Sequence, residues 1–212
     1  MALLALLLAL LLALATLEGC YSNITSFRDE NTARLAGSNV LFLSPALLPP
    51  VGATQLNRLI ETVEAGLASS PHVGKVITRK ELAARRDLPL AIQRDYALFS
   101  NTLSLAGFSN PEISRRLGET FGVQMLAMVQ MTYQRCQVCE LGNQLWVVAH
   151  IVEAKTGRIV FRANYRSPLE KPEASLIEQA ARELAETYLE EFNLAFIPKW
   201  HRLRFFNLKK RA

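Results

Sequence analysis

Three residues, Lys155-Thr156-Gly157, separate two apolar runs late in the chain, "QLWVVAHIVEA" (144–154) and "RIVFRANYR" (158–166). A link that short joins strands only as an antiparallel hairpin, because a parallel return needs a crossover of a dozen or more residues. Gly157 suits the positive φ of such a turn, and Lys155 and Thr156 make its polar tip. The run before them, "VQMLAMVQMTY" (123–133), is a third strand candidate, joined through the longer connection "QRCQVCELGN". Consecutive strands connected in this way build an antiparallel meander. Along 144–152, Leu145, Val147, Ala149 and Ile151 share one face, while Trp146, Val148, His150 and Val152 share the other. Both faces are largely apolar, which places this strand centrally with cover on both sides. The rival reading makes the Trp146 face a partner surface.

The first half supplies the remaining elements. "NVLFLS" (39–44) reads as a short buried strand stopped by prolines. Leu56, Leu59, Ile60, Val63 and Leu67 recur at helical spacing over 53–69, and "VGKVIT" (73–78) is a second strand. Thr78 and Glu81 fit a capping box, so a short helix follows to Arg86. Residues 87–107 read as a further helix carrying Leu90, Tyr96, Leu98, Phe99, Leu103 and Leu105. Asn110-Pro111-Glu112 is a helix start, with Asn as cap and Pro in the first position; Gly122 ends that helix. Pro172 opens a long helix to Phe192 with Leu176, Ile177, Ala180, Leu184, Tyr188 and Leu189 on one stripe. The order β-α-β-α-α-β-β-β-α predicts an α+β fold. Its helices pack on a single mixed or antiparallel sheet, within a domain spanning 39–197.

Ahead of this domain, Ala2 to Ala15 contains only Ala and Leu. About fourteen apolar residues fall short of the roughly 20 that cross a bilayer, but match the apolar centre of a secretory signal. Leu17-Glu18-Gly19-Cys20 then resembles the bacterial lipobox, with Leu three positions before the Cys and a small residue just before it. Glu18 departs from the small apolar residue usual there, and no Lys or Arg precedes the apolar run. The resemblance implies removal of a signal peptide, 1–19, and acylation of Cys20, a covalent lipid being the only added group expected. Tyr21 rather than Asp after the cysteine favours the outer membrane, facing the periplasm, under the enterobacterial sorting rule. An uncleaved N-terminal anchor is the alternative. Residues 20–38, polar and without a clear period, read as the lipidated N-terminus and a flexible tether.

A helix leading into "LGETFGVQMLAMVQMTY", followed later by a strand ending "VEAKTGRIVFRANY", resembles a group of bacterial envelope lipoproteins. It includes the curli-secretion lipoprotein CsgG, the penicillin-binding-protein activator LpoB and the N-terminal domain of TolB. The likeness is carried by Leu117-Gly118, Phe121-Gly122 and Glu153-Ala154-Lys155-Thr156-Gly157. It implies a protein that binds other proteins or assembles, and not an enzyme.

Two further features bear on function. Cys136 and Cys139 form a C-x-x-C within the 134–143 connection. In an oxidising periplasm the pair reads as a disulfide. A redox-active pair or two ligands of a metal site are the alternatives, His150 being a weak third ligand candidate. The tail 198–212 has no acid, and it carries Lys199, Trp200, Arg202, Arg204, Lys209, Lys210 and Arg211. On a secreted, lipid-anchored chain these residues suit membrane headgroups or an acidic partner, and not nucleic acid. No catalytic or metal-binding motif emerges. The sequence therefore predicts a lipid-anchored binding or assembly lipoprotein of the bacterial envelope, with an unidentified envelope protein as partner and no oligomeric state specified. A C-x-x-C-dependent redox or metal-binding enzyme, or a subunit of an oligomeric secretion or transport complex, is the alternative.

Overall fold

The computed structural model describes residues 23–45, 52–85, 87–134, 143–168 and 173–196. In chain order these form β1 (Asn23–Arg28), a 3-10 helix (Glu30–Leu35), β2 (Ser38–Leu43), α1 (Ala53–Ala68), β3 (Val73–Ile77) and α2 (Arg79–Ala84). Then come α3 (Leu90–Ala106), α4 (Pro111–Phe121), β4 (Met125–Gln134), β5 (Gln144–Glu153), β6 (Ile159–Pro168) and α5 (Ala174–Ala195). One six-stranded sheet in the order β1-β6-β5-β4-β2-β3 carries all the helices, so the expected α+β class with a single mixed sheet is observed.

The hairpin that constrains the sequence is present. Gly157 takes a φ of 66°, and its amide donates to the Glu153 carbonyl oxygen at 2.9 Å. β4, β5 and β6 pair antiparallel, with Met128 opposite His150 and His150 opposite Arg162. β2 is parallel to both β3 and β4. The start signals read from sequence also hold. The Glu81 carboxylate accepts from the Thr78 amide at 2.8 Å, and the Glu81 amide donates to Thr78 Oγ1 at 3.2 Å. Asn110 Oδ1 accepts from the amides of Glu112 and Ile113 at the start of α4.

Two apolar layers flank the sheet. α1 and α5 cover one face, setting Leu56, Ile60, Leu184, Tyr188 and Phe192 against Phe42, Val147, Ala149 and Phe161. α2, α3 and α4 cover part of the other, setting Leu82, Phe99, Leu103 and Leu117 against Leu41, Leu43, Leu126 and Val152.

One expectation is corrected. Residues 23–38 are not all tether: β1 pairs antiparallel with β6 from Asn23 opposite Arg166 to Arg28 opposite Phe161. The adjoining 3-10 helix buries Thr32, whose hydroxyl donates to the carbonyl oxygens of Asp29 and Val160. Six residues this polar serve as a strand because β1 lies at the sheet edge, where Ser26 and Arg28 reach Glu191 on α5. Glu191 of α5 is thus an ion-pair partner of Arg28. All three helices read from the sequence between β3 and β4 are present, one more than the summary order β-α-β-α-α-β-β-β-α counts.

The turn at Gly157 rests on α4: a Cβ added there would lie 2.6 Å from Pro111 Cα and 2.9 Å from Pro111 N. Gly107 has a similar φ of 68° and nothing within 4 Å. Gly157→Ala is therefore expected to lower the urea midpoint by more than Gly107→Ala. The left-handed backbone alone costs about 1–3 kcal/mol in each, and only Gly157→Ala adds the collision with Pro111.

Candidate functional site

Unequal strand lengths create the most exposed part of the sheet. β4, β5 and β6 have ten residues each, whereas β2 has six and pairs with β4 only from Met125 to Met128. Beyond Met128 the face bearing Trp146 has no helix over it among the described residues. The register sets Gln130 and Thr132 of β4 beside Val148 and Trp146 of β5. Asn164 and Arg166 of β6 follow, then Thr25 of β1. The cover expected on both sides of this strand is therefore only partial on this face. Val152 is buried at the covered end, while Trp146 and Val148 stay partly exposed.

Thr25, Trp146, Val148, Arg162, Asn164, Tyr165 and Arg166 line a shallow concavity of about 440 Å³. The guanidinium carbon of Arg166 stands 4.0 Å from the centroid of the Trp146 ring, a cation–π arrangement that pairs the two side chains. Trp146 Nε1 donates to Gln144 Oε1 at 2.9 Å, and Arg162 Nε donates to Asn164 Oδ1 at 3.1 Å. Among the described residues, the concavity thus carries two cations and no acid.

At the border between covered and open halves lies His150, only 1% exposed. Neither ring nitrogen has a hydrogen-bond partner, and the buried Gln130 Oε1 has none either. Burial, with the nearby Arg162 charge, pushes the imidazole pKa down to about 3. His150 is thus a neutral core residue.

A second surface lies on the outside of α3. Among the described residues, four of the six exposed large hydrophobic side chains, Leu90, Leu98, Leu105 and Phe108, fall on this helix or just after it, each more than half exposed. Its inner side is fixed by Phe99 and Leu103 in the core and by the Ser44 amide, which donates to Tyr96 Oη at 2.7 Å. Arg116 of α4 donates twice to Asp95, each time at 2.7 Å. Those bonds, more than the charge alone, hold the Asp95 carboxyl below its ordinary range against the opposing effect of burial.

The lipidation, disulfide and tail residues named from sequence lie outside the described residues: Cys20, Cys136, Cys139, Lys199, Trp200, Arg202, Arg204, Lys209, Lys210 and Arg211. The structure instead brings together Trp146, Arg162, Asn164, Arg166 and Thr25. The sequence did hold a signal for them: in "FRANYR" (161–166) polar and apolar residues alternate, which leaves one face of β6 polar. Among the described residues no three His, Cys, Asp or Glu side chains gather in a metal-binding group. No described helix is long and apolar enough to cross a membrane.

No family model matches the chain, and the search of curated proteins gives no match. Several solved structures resemble it at low identity. The PelC dodecamer from Paraburkholderia phytofirmans is 10% identical with a TM-score of 0.38, covering 78% of this chain and 96% of that one. Lipoprotein GNA1162 from Neisseria meningitidis is 13% identical with a TM-score of 0.35, covering 72% and 99%. The hypothetical protein CT253 from Chlamydia trachomatis is 10% identical with a TM-score of 0.40, covering 74% and 98%. At these scores the likeness transfers neither activity nor assembly to this chain.

The buried imidazole generates a pH prediction. The unfolded chain protonates His150 near 6.5 and the folded protein near 3. Between those values the unfolded state holds the extra proton, so stability falls as pH falls, by up to about 1.4 kcal/mol per pH unit. His150→Leu removes this contribution. Urea unfolding is expected to show the variant gaining on the wild type as pH drops from neutral to about 4.5, with no such gain above the unfolded pKa.

Proposed function

We propose that this chain is a lipid-anchored binding or assembly protein of the bacterial envelope, held at the outer membrane by Cys20 and acting through contact with another protein, not through catalysis. The anchor is supported by the apolar Ala2–Ala15 run followed by Leu17-Glu18-Gly19-Cys20. The observation that carries the contact is the outward stripe of α3. Scattered exposed apolar residues are ordinary, but Leu90, Leu98, Leu105 and Phe108 are concentrated on one element, the pattern that marks a protein-binding surface. Their spacing suits capture of an apolar helix or groove on the partner. α3 is a firm base for that contact, because its inner side is held by Asp95–Arg116 and by Tyr96.

The test is photocrosslinking in living cells from a reactive residue placed at 98 or 105, alongside the intact mass of the membrane-extracted protein. A discrete heavier adduct, lost in Leu98→Glu/Leu105→Glu and weakened in Cys20→Ala, is the expected result. An adduct of twice the chain mass would make the partner a second copy. No adduct from either position would sink the contact reading, and a chain without acyl mass would sink the anchor.

A further inference from the structure

We propose that the open end of the sheet, where Trp146, Arg162 and Arg166 stand, docks on the phospholipid headgroups around the lipid on Cys20. This inference rests on the anchored reading above. Its first support is the length of chain between the anchor and the fold. β1 begins at Asn23, and three residues of fully extended chain reach no further than about 11 Å. Asn23 pairs with Arg166, and Arg166 pairs with Trp146 on the next strand. Strands lie about 4.8 Å apart, so the backbones of Arg166 and Trp146 stay within roughly 20 Å of Cys20. Two linking residues leave the domain no means of lifting that end of the sheet far from the bilayer. The other end of β1, at Arg28, lies about 17 Å further along the strand.

The second support is chemical. Guanidinium forks match phosphate oxygens, and Trp favours the boundary between headgroup and acyl chain. Arg166 stacks on Trp146 at 4.0 Å, so this pair is already in place before docking. Among the described residues, no acidic side chain lines the surface to repel phosphate or to neutralise Arg162 and Arg166. The basic tail is a poor occupant of the same face, because 198–212 brings six cations, if His is left out, and no acid.

The mature lipoprotein, carrying Trp200→Phe so that Trp146 is its only tryptophan, is placed in vesicles of phosphatidylethanolamine and phosphatidylglycerol containing lipids brominated at set depths. Its intact mass is recorded in parallel. The expected result is full acyl mass, with Trp146 emission quenched most by bromines near the headgroup end of the chains. Arg162→Glu/Arg166→Glu should lose that quenching, the docked-to-undocked ratio falling about fivefold for each arginine removed. A melting curve separates lost docking from lost fold in the double variant. Raising the salt on the arginine-intact protein should give the same loss without touching these residues. Acylated protein whose Trp146 emission ignores the bromines overturns the docking, opens the face to an acidic protein segment and leaves the anchored reading standing. A chain with no acyl mass overturns the anchor, and the docking falls with it.

Discussion

Three long strands beside two short ones set the layout of this domain. Ten residues of strand span about 33 Å, whereas the six of β2 span about 20 Å. α5, at 22 residues, is also about 33 Å long, so together with α1 it covers the meander along its full length on one side. On the opposite side the helices follow the short parallel strands, and among the described residues their cover stops near Met128. The exposed concavity is therefore a consequence of sheet geometry, not a loop added to the fold. A surface built on paired strands is stiffer than one built on connections, which suits a docking face better than an adaptable pocket.

The residues at this boundary show how the sheet tolerates being half covered. Toward the helices the face is apolar, with Leu126, Met128 and Val152 in the core. Toward the open end it turns to Thr132, Asn164, Arg162 and Arg166. His150 and Gln130 sit between the two, buried or partly buried, with both ring nitrogens of His150 and the Oε1 of Gln130 lacking hydrogen-bond partners. A buried polar atom without a partner costs about 1–3 kcal/mol. The imidazole limits that penalty by staying neutral, which is why its pKa falls so far. Arg162 adds to the same effect by placing a cation where a second one would be unfavourable.

Much of the fold was legible in the sequence because local chemistry and tertiary structure agree. Gly157, the Thr78–Glu81 box and the Asn110 cap each act within a few residues, and each sits where its pattern placed it. β1 was missed for an equally physical reason. An edge strand needs no apolar alternation when its inward side chains are Ser26 and Arg28, meeting a carboxylate on a distant helix. α3 was recognised as a helix, but its apolar residues run around several sides. Nothing local separates Phe99 and Leu103, which face the core, from Leu98 and Leu105, which face solvent. The open half-face was least legible of all, since it is defined by where helices stop covering strands that are themselves regular.

Finding β1 also changes how an anchored domain of this kind would work. A flexible tether of about 18 residues would wander over roughly 23 Å and present every side of the domain in turn. With β1 starting at Asn23, only Tyr21 and Ser22 separate an acylated Cys20 from the sheet. Reach is lost and orientation is gained. A domain held close to the bilayer gives up less rotational freedom when it meets a partner in the same membrane, so a modest contact area is enough for stable association. In the proposed arrangement the two surfaces would divide the work: the Trp146–Arg166 end would fix the attitude of the domain, and the apolar outside of α3 would be shown to a partner at a constant angle.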